Sequence, residues 1–209
     1  IPTRADNPFP TDYCEDTDES EPLDDECASF FQHIIGVMRW MIELGRVDIA
    51  VEVSLLSSYL AYPREGHLQA ALHIMGYLRL KHNTRLIFDP SYPTIVESDF
   101  PRFDWTEFYG DVTEAIPTDM PPPLGKEVDI RMMVDSDHAG EKRTRHSRTG
   151  FLIYCNMALI IWLSKRQPTI ETSVFGAEFV AMKHGIETLR GLRYKLRMMG
   201  VPSTGPTYI

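Results

Sequence analysis

Apolar positions return at a helical period three times in the first half of the chain, over Phe30 to Leu44, Val47 to Ala61 and Gly66 to Leu80. Gly45-Arg46 separates the first two, and Pro63 ends the second because proline has no N–H with which to continue a helix. The third carries Leu68, Ala71, Leu72, Met75 and Leu78 on one side, so the three together predict a small helical bundle. Leu86-Ile87-Phe88 reads as a short strand. Residues 89–126 lose all periodicity and hold Pro90, Pro93, Pro101, Pro117 and the Pro121-Pro122-Pro123 run, the pattern of a linker or irregular insertion. Phe100, Phe103, Trp105, Phe108 and Tyr109 give it apolar anchors. The period then shortens. Ile130 to Val134, Gly150 to Cys155 and Ala158 to Leu163 read as three strands, and links as short as Asn156-Met157 predict an antiparallel meander. From Ser173 to Met199 the helical period returns, with Val174, Phe175, Ala177, Val180, Ala181, Ile186, Leu189, Leu192 and Leu196 apolar, Ser173 placed as N-cap and Gly200 as stop. The pattern predicts a mixed α/β fold, helical first and sheet-bearing second.

Charge sharpens this division. Ten acids between Ile1 and Cys27 face only Arg4, which accounts for the whole net charge of −9, and such a Pro-containing acidic run is expected to be disordered or a solvated linker. From Arg131 to Ile209, twelve Lys and Arg outnumber six Asp and Glu, a basic half suited to a polyanionic partner such as nucleic acid. Cys14, Cys27 and Cys155 form no C-x-x-C pair, so neither a zinc site nor a disulfide framework is expected and a reducing compartment is. His67, His73 and His82 lack metal spacing and read as core or surface residues. No signal peptide is visible at Ile1, and no uncharged stretch reaches the ~20 residues that span a bilayer. With 209 residues the chain has ample apolar content for one or two cores.

The chemistry concentrates at Val134-Asp135-Ser136-Asp137-His138-Ala139-Gly140. Alternation along a strand puts Asp135 and Asp137 on one face with Ser136 turned away. Two carboxylates so close repel each other, and a proton or a hard cation such as Mg²⁺ relieves that repulsion. A strand end turning into solvent is the plainer reading of D-x-D. Glu178, between Ala177 and Phe179 in the second turn of the long helix, is an acid in an apolar setting and calls for a partner.

These residues carry a resemblance. Asp135-Ser-Asp-His-Ala-Gly, Ser147-Arg-Thr-Gly-Phe, Trp162-Leu-Ser-Lys-Arg-Gln-Pro and Ala177-Glu-Phe-Val-Ala resemble, in order and spacing, the ribonuclease H region of Ty1/copia-type retrotransposon polyproteins. Upstream, Ile35-Gly36-Val37-Met38-Arg39-Trp40, Asp48-Ile49-Ala50-Val51, Val53-Ser-Leu-Leu-Ser57 and the run from His67 to Leu78 resemble the end of that family's reverse transcriptase domain. The blocks cover most of residues 30–90 and 128–200. His138 stands where the family has Trp or Tyr, and Phe175-Gly176 replace its Thr-Glu, leaving Glu178 as the helix-borne acid.

The resemblance implies a helical thumb/connection region followed by a truncated ribonuclease H-like fold, a three-stranded antiparallel meander plus a long helix. The expected segments are 1–28 (acidic, disordered), 29–88 (thumb-like helices), 89–126 (linker or insertion) and 127–209 (partial ribonuclease H-like domain). It implies two-metal hydrolysis of RNA in RNA–DNA hybrids with Mg²⁺ or Mn²⁺. Asp135 and Glu178 are the implied catalytic and metal-binding residues, and Asp137 is an auxiliary acid or a surface residue. A third acid is expected past Ile209, so this chain is expected to be a poor or inactive nuclease by itself. The polymerase's Y-x-D-D acids are absent, and Asp24-Asp25 has no flanking apolar strand to replace them. Lys142, Arg143, Arg145, His146 and Arg148, in the loop after the acidic strand, are expected to grip a nucleic-acid backbone, with Lys165 and Arg166 beside them. Arg190, Arg193, Lys195 and Arg197 suit the helix C-terminal dipole equally well. The implied partners are an RNA–DNA hybrid and the rest of the Pol polyprotein, with no membrane, and the implied location is intracellular, a cytoplasmic particle or the nucleus. The alternative is a noncatalytic retrotransposon relic that binds nucleic acid or only folds.

Overall fold

The computed structural model describes residues 5–100, 103–111 and 116–209. Arg4 and Pro101 lie outside them. The described chain divides into two compact units.

The first unit comprises residues 1–87, 135–151 and 162–181. Its core is a helical bundle: α1 (Asp25–Glu43), α2 (Ala50–Leu56) and α3 (Glu65–Leu80), with short 3-10 turns at Val47–Ile49 and Ser57–Tyr59 on either side of α2. Asp24 caps α1 by accepting the Cys27 N–H at 2.8 Å. Phe31, Ile34, Ile35 and Met38 from α1 bury against Val53, Leu56, Ile74 and Leu78, an apolar stripe spaced at three and four residues. The stretch expected to be one helix from Val47 to Ala61 is shorter and flanked by 3-10 turns. Leu86-Ile87-Phe88, expected to be a strand, pairs with nothing among the described residues, and Ile87 and Phe88 are exposed. A strand's backbone groups need a neighbouring strand, and none is offered here.

The acidic N-terminal stretch, expected to be disordered or solvated, is partly built into this unit. A 3-10 turn at Glu15–Thr17 carries Asp16, which is buried, and Asp24 starts α1. His67 of α3 is buried beneath that stretch. It accepts the Arg64 N–H on Nδ1 at 3.0 Å, lies 3.1 Å from the Glu15 carbonyl through Nε2, and stacks on Tyr59.

Four strands form one sheet in the order β3 (Ala158–Arg166), β2 (Arg148–Cys155), β1 (Ile130–Asp137), β4 (Thr207–Tyr208). The expected meander is present. Asn156 donates its N–H to the Asp129 carbonyl at one end of the β1–β2 pair while Asp137 meets the Arg148 N–H at the other, which makes the pair antiparallel. β4 returns parallel to β1, with Ile130 opposite Thr207 and Arg131 opposite Tyr208. The long helix α5 (Val174–Met198) links β3 to β4, as a parallel return requires. Ser173 Oγ accepts the Gly176 N–H at 3.1 Å at its start, and Gly200, at a φ of 74°, follows its end.

The second unit comprises residues 88–134, 152–161 and 182–209. Its contacts tie the expected linker down at several points. Tyr92 donates to the Glu127 carbonyl at 2.7 Å, Leu124 N–H to the Gly200 carbonyl at 2.7 Å, and Phe100 packs edge-on to Tyr208. One four-residue helix, α4 (Thr106–Tyr109), forms in this stretch with its aromatic side chains exposed.

Candidate functional site

The β1–β2 turn sets the geometry around the acids. Asp135 and Asp137 are both exposed, and the expected alternation holds, because the Ser136 hydroxyl is buried. Asp135 Oδ1 accepts the neighbouring Ser136 N–H at 2.8 Å. Asp137 is more committed. One oxygen accepts the Arg148 N–H, and the other occupies the space beside Gly140 that a Cβ would need. Desolvation by this packing raises the Asp137 carboxyl above its ordinary range, against the lowering effect of the Arg148 N–H and charge.

The two faces of the sheet differ at this level. In the β1–β2 register Ser136 lies opposite Thr149, whose hydroxyl accepts from Gln167 at 3.1 Å, and Gln167 also donates to the Ala177 carbonyl of α5 at 2.9 Å. The first turns of α5 are therefore tied to the Ser136 side of the sheet. Asp135 and Asp137 share the opposite side with Arg148, whose guanidinium donates to Ser54 of α2 at 2.6 Å. Glu178, half-buried next to Ala177, belongs to the helix on the Ser136 side. Among the described residues no three His, Cys, Asp or Glu side chains gather closely enough to hold a metal ion. Asp135, Asp137 and Glu178 supply oxygen donors of the kind that suit Mg²⁺.

The basic loop is ordered by its own bonds. Arg145 adopts a φ of 62° and donates its N–H to the Glu141 carbonyl at 2.7 Å, Ala139 adopts a φ of 52° and donates to buried Ser147, and Arg143 donates its N–H to Asp16 at 2.8 Å. These bonds leave Lys142, Arg143 and Arg145 exposed at the tip, where a backbone phosphate could reach them. Arg148 differs from its expected place. It is buried, 4.0 Å from Glu141, and desolvation lowers its guanidinium from the usual range while it stays cationic. Lys165 and Arg166 leave β3 exposed, and Arg166 pairs with Glu141 at 3.3 Å.

Glu141 was not legible as a site residue. It is buried, approached by Arg148, Arg166 and His146, and bonded by Thr144, and it lines a partly open pocket of about 220 Å³ with Asp137 and Ser147. Nothing in its sequence position separates it from an ordinary loop acid. Ser54, which receives the Arg148 guanidinium, was missed for the same reason, as a single polar residue on an amphipathic helix.

No helix among the described residues is long and apolar enough to cross a membrane. No protein-family model matches the chain, and no solved structure matches it. It is similar to the retrovirus-related Pol polyprotein from transposon RE1 of Arabidopsis thaliana, 22% identical over 179 residues, which is 86% of this chain and 10% of that protein. It is similar to the retrovirus-related Pol polyprotein from transposon TNT 1-94 of Nicotiana tabacum, 23% identical over 171 residues, 82% of this chain and 10% of that protein. It is also similar to the secreted RxLR effector protein 161 of Plasmopara viticola, 22% identical over 163 residues, 78% of this chain and 91% of that protein. The chain spans about a tenth of the length of the two polyproteins and most of the effector. These matches support descent from a retrotransposon Pol polyprotein.

Proposed function

We propose that the chain is the thumb-and-ribonuclease H portion of a Ty1/copia-type Pol protein, whose parent hydrolyses RNA in RNA–DNA hybrids, and that this chain alone binds such hybrids without cutting them. The observation that carries the reading is the sheet. An antiparallel meander followed by a long helix is what the resemblance implies for a truncated ribonuclease H-like domain, and here a further strand returns parallel beside the first, in the order β3-β2-β1-β4. On this reading Asp135 and Glu178 are the catalytic acids of the parent, and metal-assisted hydrolysis with Mg²⁺ or Mn²⁺ belongs to the complete domain. Asp137 serves as a structural acceptor for the β2 backbone. Exposed Lys142, Arg143, Arg145, Lys165 and Arg166 hold the phosphate backbone, and the remainder of the polyprotein is the covalent partner, inside the cell.

The second reading, a noncatalytic relic, is favoured by the dispersal of the acids: Asp137 is engaged by Arg148, and no third ligand joins Asp135 among the described residues. Both readings meet in one experiment. A labelled RNA–DNA hybrid is incubated with Mg²⁺ or Mn²⁺ and either this chain or one extended along its reading frame. Cleavage by the extended chain, abolished by Asp135→Asn with hybrid binding kept or strengthened, supports the nuclease. Silence from a folded extended chain leaves the relic, and cleavage that survives Asp135→Asn removes Asp135 from the mechanism.

A further inference from the structure

We infer that the acidic N-terminal stretch sets the shape of the basic loop between β1 and β2, with Asp16 as a positioning residue for the phosphate contacts of Lys142, Arg143 and Arg145. The inference rests on the nucleic-acid reading of that loop and gives its control to one carboxylate 127 residues away. The stretch and the loop both belong to the first unit. Asp16 is buried, and its two oxygens face different partners. Oδ2 accepts the Arg143 N–H at 2.8 Å, and Oδ1 faces the Tyr59 hydroxyl at 3.4 Å. Bonds to a carboxylate are stronger than those between neutral groups. The carboxylate reaches this place because the chain on either side of it is fastened at the start of α3. The Glu15 carbonyl lies 3.1 Å from His67 Nε2. Asp18 accepts the Ser20 N–H at 2.8 Å and the Tyr13 hydroxyl at 2.5 Å, and its carboxylate fills the space that a Cβ at Gly66 would need. Glu65 donates its N–H to the Glu21 carbonyl at 3.0 Å, and Leu23 donates its own to the Pro63 carbonyl at 3.1 Å.

The loop uses this tie. Arg145 and Ala139 hold left-handed backbone, at φ of 62° and 52°, which persists in such residues only when the surroundings over-determine it. Glu141 secures the base of the loop, accepting the Arg145 N–H on its carbonyl at 2.7 Å and pairing with Arg166 at 3.3 Å. Asp16 secures the tip at the Arg143 backbone. With that backbone held, the side chains of Lys142, Arg143 and Arg145 stay exposed. A phosphate backbone then has to order three side chains and not the loop as well, and preorganisation of this kind strengthens binding. The sign of the effect identifies the cause. Removing a negative charge from a protein that binds a polyanion ordinarily strengthens the complex. Removing Asp16 weakens it, because the loop loses its anchor.

The test compares the parent chain with Asp16→Ala and Asp16→Asn. Asparagine keeps a carbonyl acceptor at the same reach without the charge, and alanine keeps neither. Hydrogen exchange at the Arg143 amide is expected to stay slow in the parent and in Asp16→Asn and to quicken in Asp16→Ala. Fluorescence anisotropy with a labelled RNA–DNA hybrid should show Asp16→Ala binding about tenfold more weakly than the parent, and Asp16→Asn at least as tightly. Lys142→Gln, at an exposed side chain, reports whether Asp16 acts through the loop. Its cost should be smaller in Asp16→Ala than in the parent, a coupling that general destabilisation does not produce. Should Asp16→Ala not fold, Asp16→Glu keeps the charge but displaces the carboxylate, with the same loss expected. Equal or tighter hybrid binding by folded Asp16→Ala would overturn the proposal. So would Arg143 exchange that ignores residue 16, or additive costs of Asp16→Ala and Lys142→Gln. A loss in Asp16→Asn equal to that in Asp16→Ala would assign the effect to charge and overturn it too. A folded parent that binds no hybrid overturns the nucleic-acid reading and the inference with it, whereas binding that persists unaltered in Asp16→Ala overturns the inference alone.

Discussion

His67 and Glu141 show how burial turns ordinary polar residues into structural ones. His67 must stay neutral, because Nδ1 accepts the Arg64 N–H while Nε2 faces the Glu15 carbonyl. Burial accordingly lowers it from its ordinary value of 6.5. Because the folded value lies below the unfolded one, the unfolded chain takes up this proton first as pH falls. The stabilisation is complete above pH 6.5 and is lost as pH drops toward the folded value. Urea midpoints should therefore fall between about pH 7.5 and 5.5, and the fall should flatten in His67→Gln. Glu141 carries the opposite risk. Its removal takes away one of the two carboxylates beside buried Arg148, leaving Asp137, and Glu141→Ala is expected to cost about 1–3 kcal/mol in urea unfolding. The sequence assigned His67 to core or surface because it lacked metal spacing, and the structure places it in the core. It offered no reason to single out Glu141, whose partners come from β2 and β3.

Turns and capping residues were legible at the scale of elements, whereas the choice of buried face was not. Asn156 makes the β2–β3 link possible by adopting a φ of 54°, a region asparagine tolerates better than other side-chain-bearing residues. Its side chain accepts the Asp129 N–H at 3.0 Å and donates to the Pro90 carbonyl at 3.1 Å. Asn156→Ala loses both bonds and strains the turn, an expected cost of about 2–3 kcal/mol, while Asn156→Gly relieves the strain and costs less. Thermal or urea unfolding of the two variants separates the contributions. Along α5 the expected ends hold at Ser173 and Gly200, and of the apolar residues at helical spacing, Ala177, Ala181 and Leu189 are buried while Val174, Phe175 and Ile186 are exposed. A broad apolar helix leaves two stripes available, and only its neighbours decide which is covered.

Charge acts at the scale of the whole molecule. The acidic N-terminal run, together with a surplus of six acids over residues 28–130, outweighs the basic C-terminal surplus of six, so a protein read as binding nucleic acid has a net charge of −9. Glu19, Glu21 and Glu26 are exposed and contribute to the repulsion of a polyanion. Replacing all three with Gln is expected to raise the association rate with hybrids at low salt. The gain should vanish as added salt shortens the Debye length below about 8 Å, which stopped-flow fluorescence across a salt series would show. A gain that persisted at high salt would assign these acids a local role instead.

Sequence alone determined the first and third bundle helices, the three strands of the antiparallel meander and the long helix with its N-cap and stop, in that order, and the shared face of Asp135 and Asp137. Each depends on periodicity or local backbone preference, which neighbouring residues encode. Tertiary structure decided the rest. It buried Asp16 and Arg148, left Leu86-Ile87-Phe88 without a strand partner, paired β4 with β1, tied Glu178's helix to the Ser136 side of the sheet, and brought Ser54 to Arg148. These outcomes depend on contacts between residues far apart in the chain, and no local pattern records which distant surface a side chain will meet.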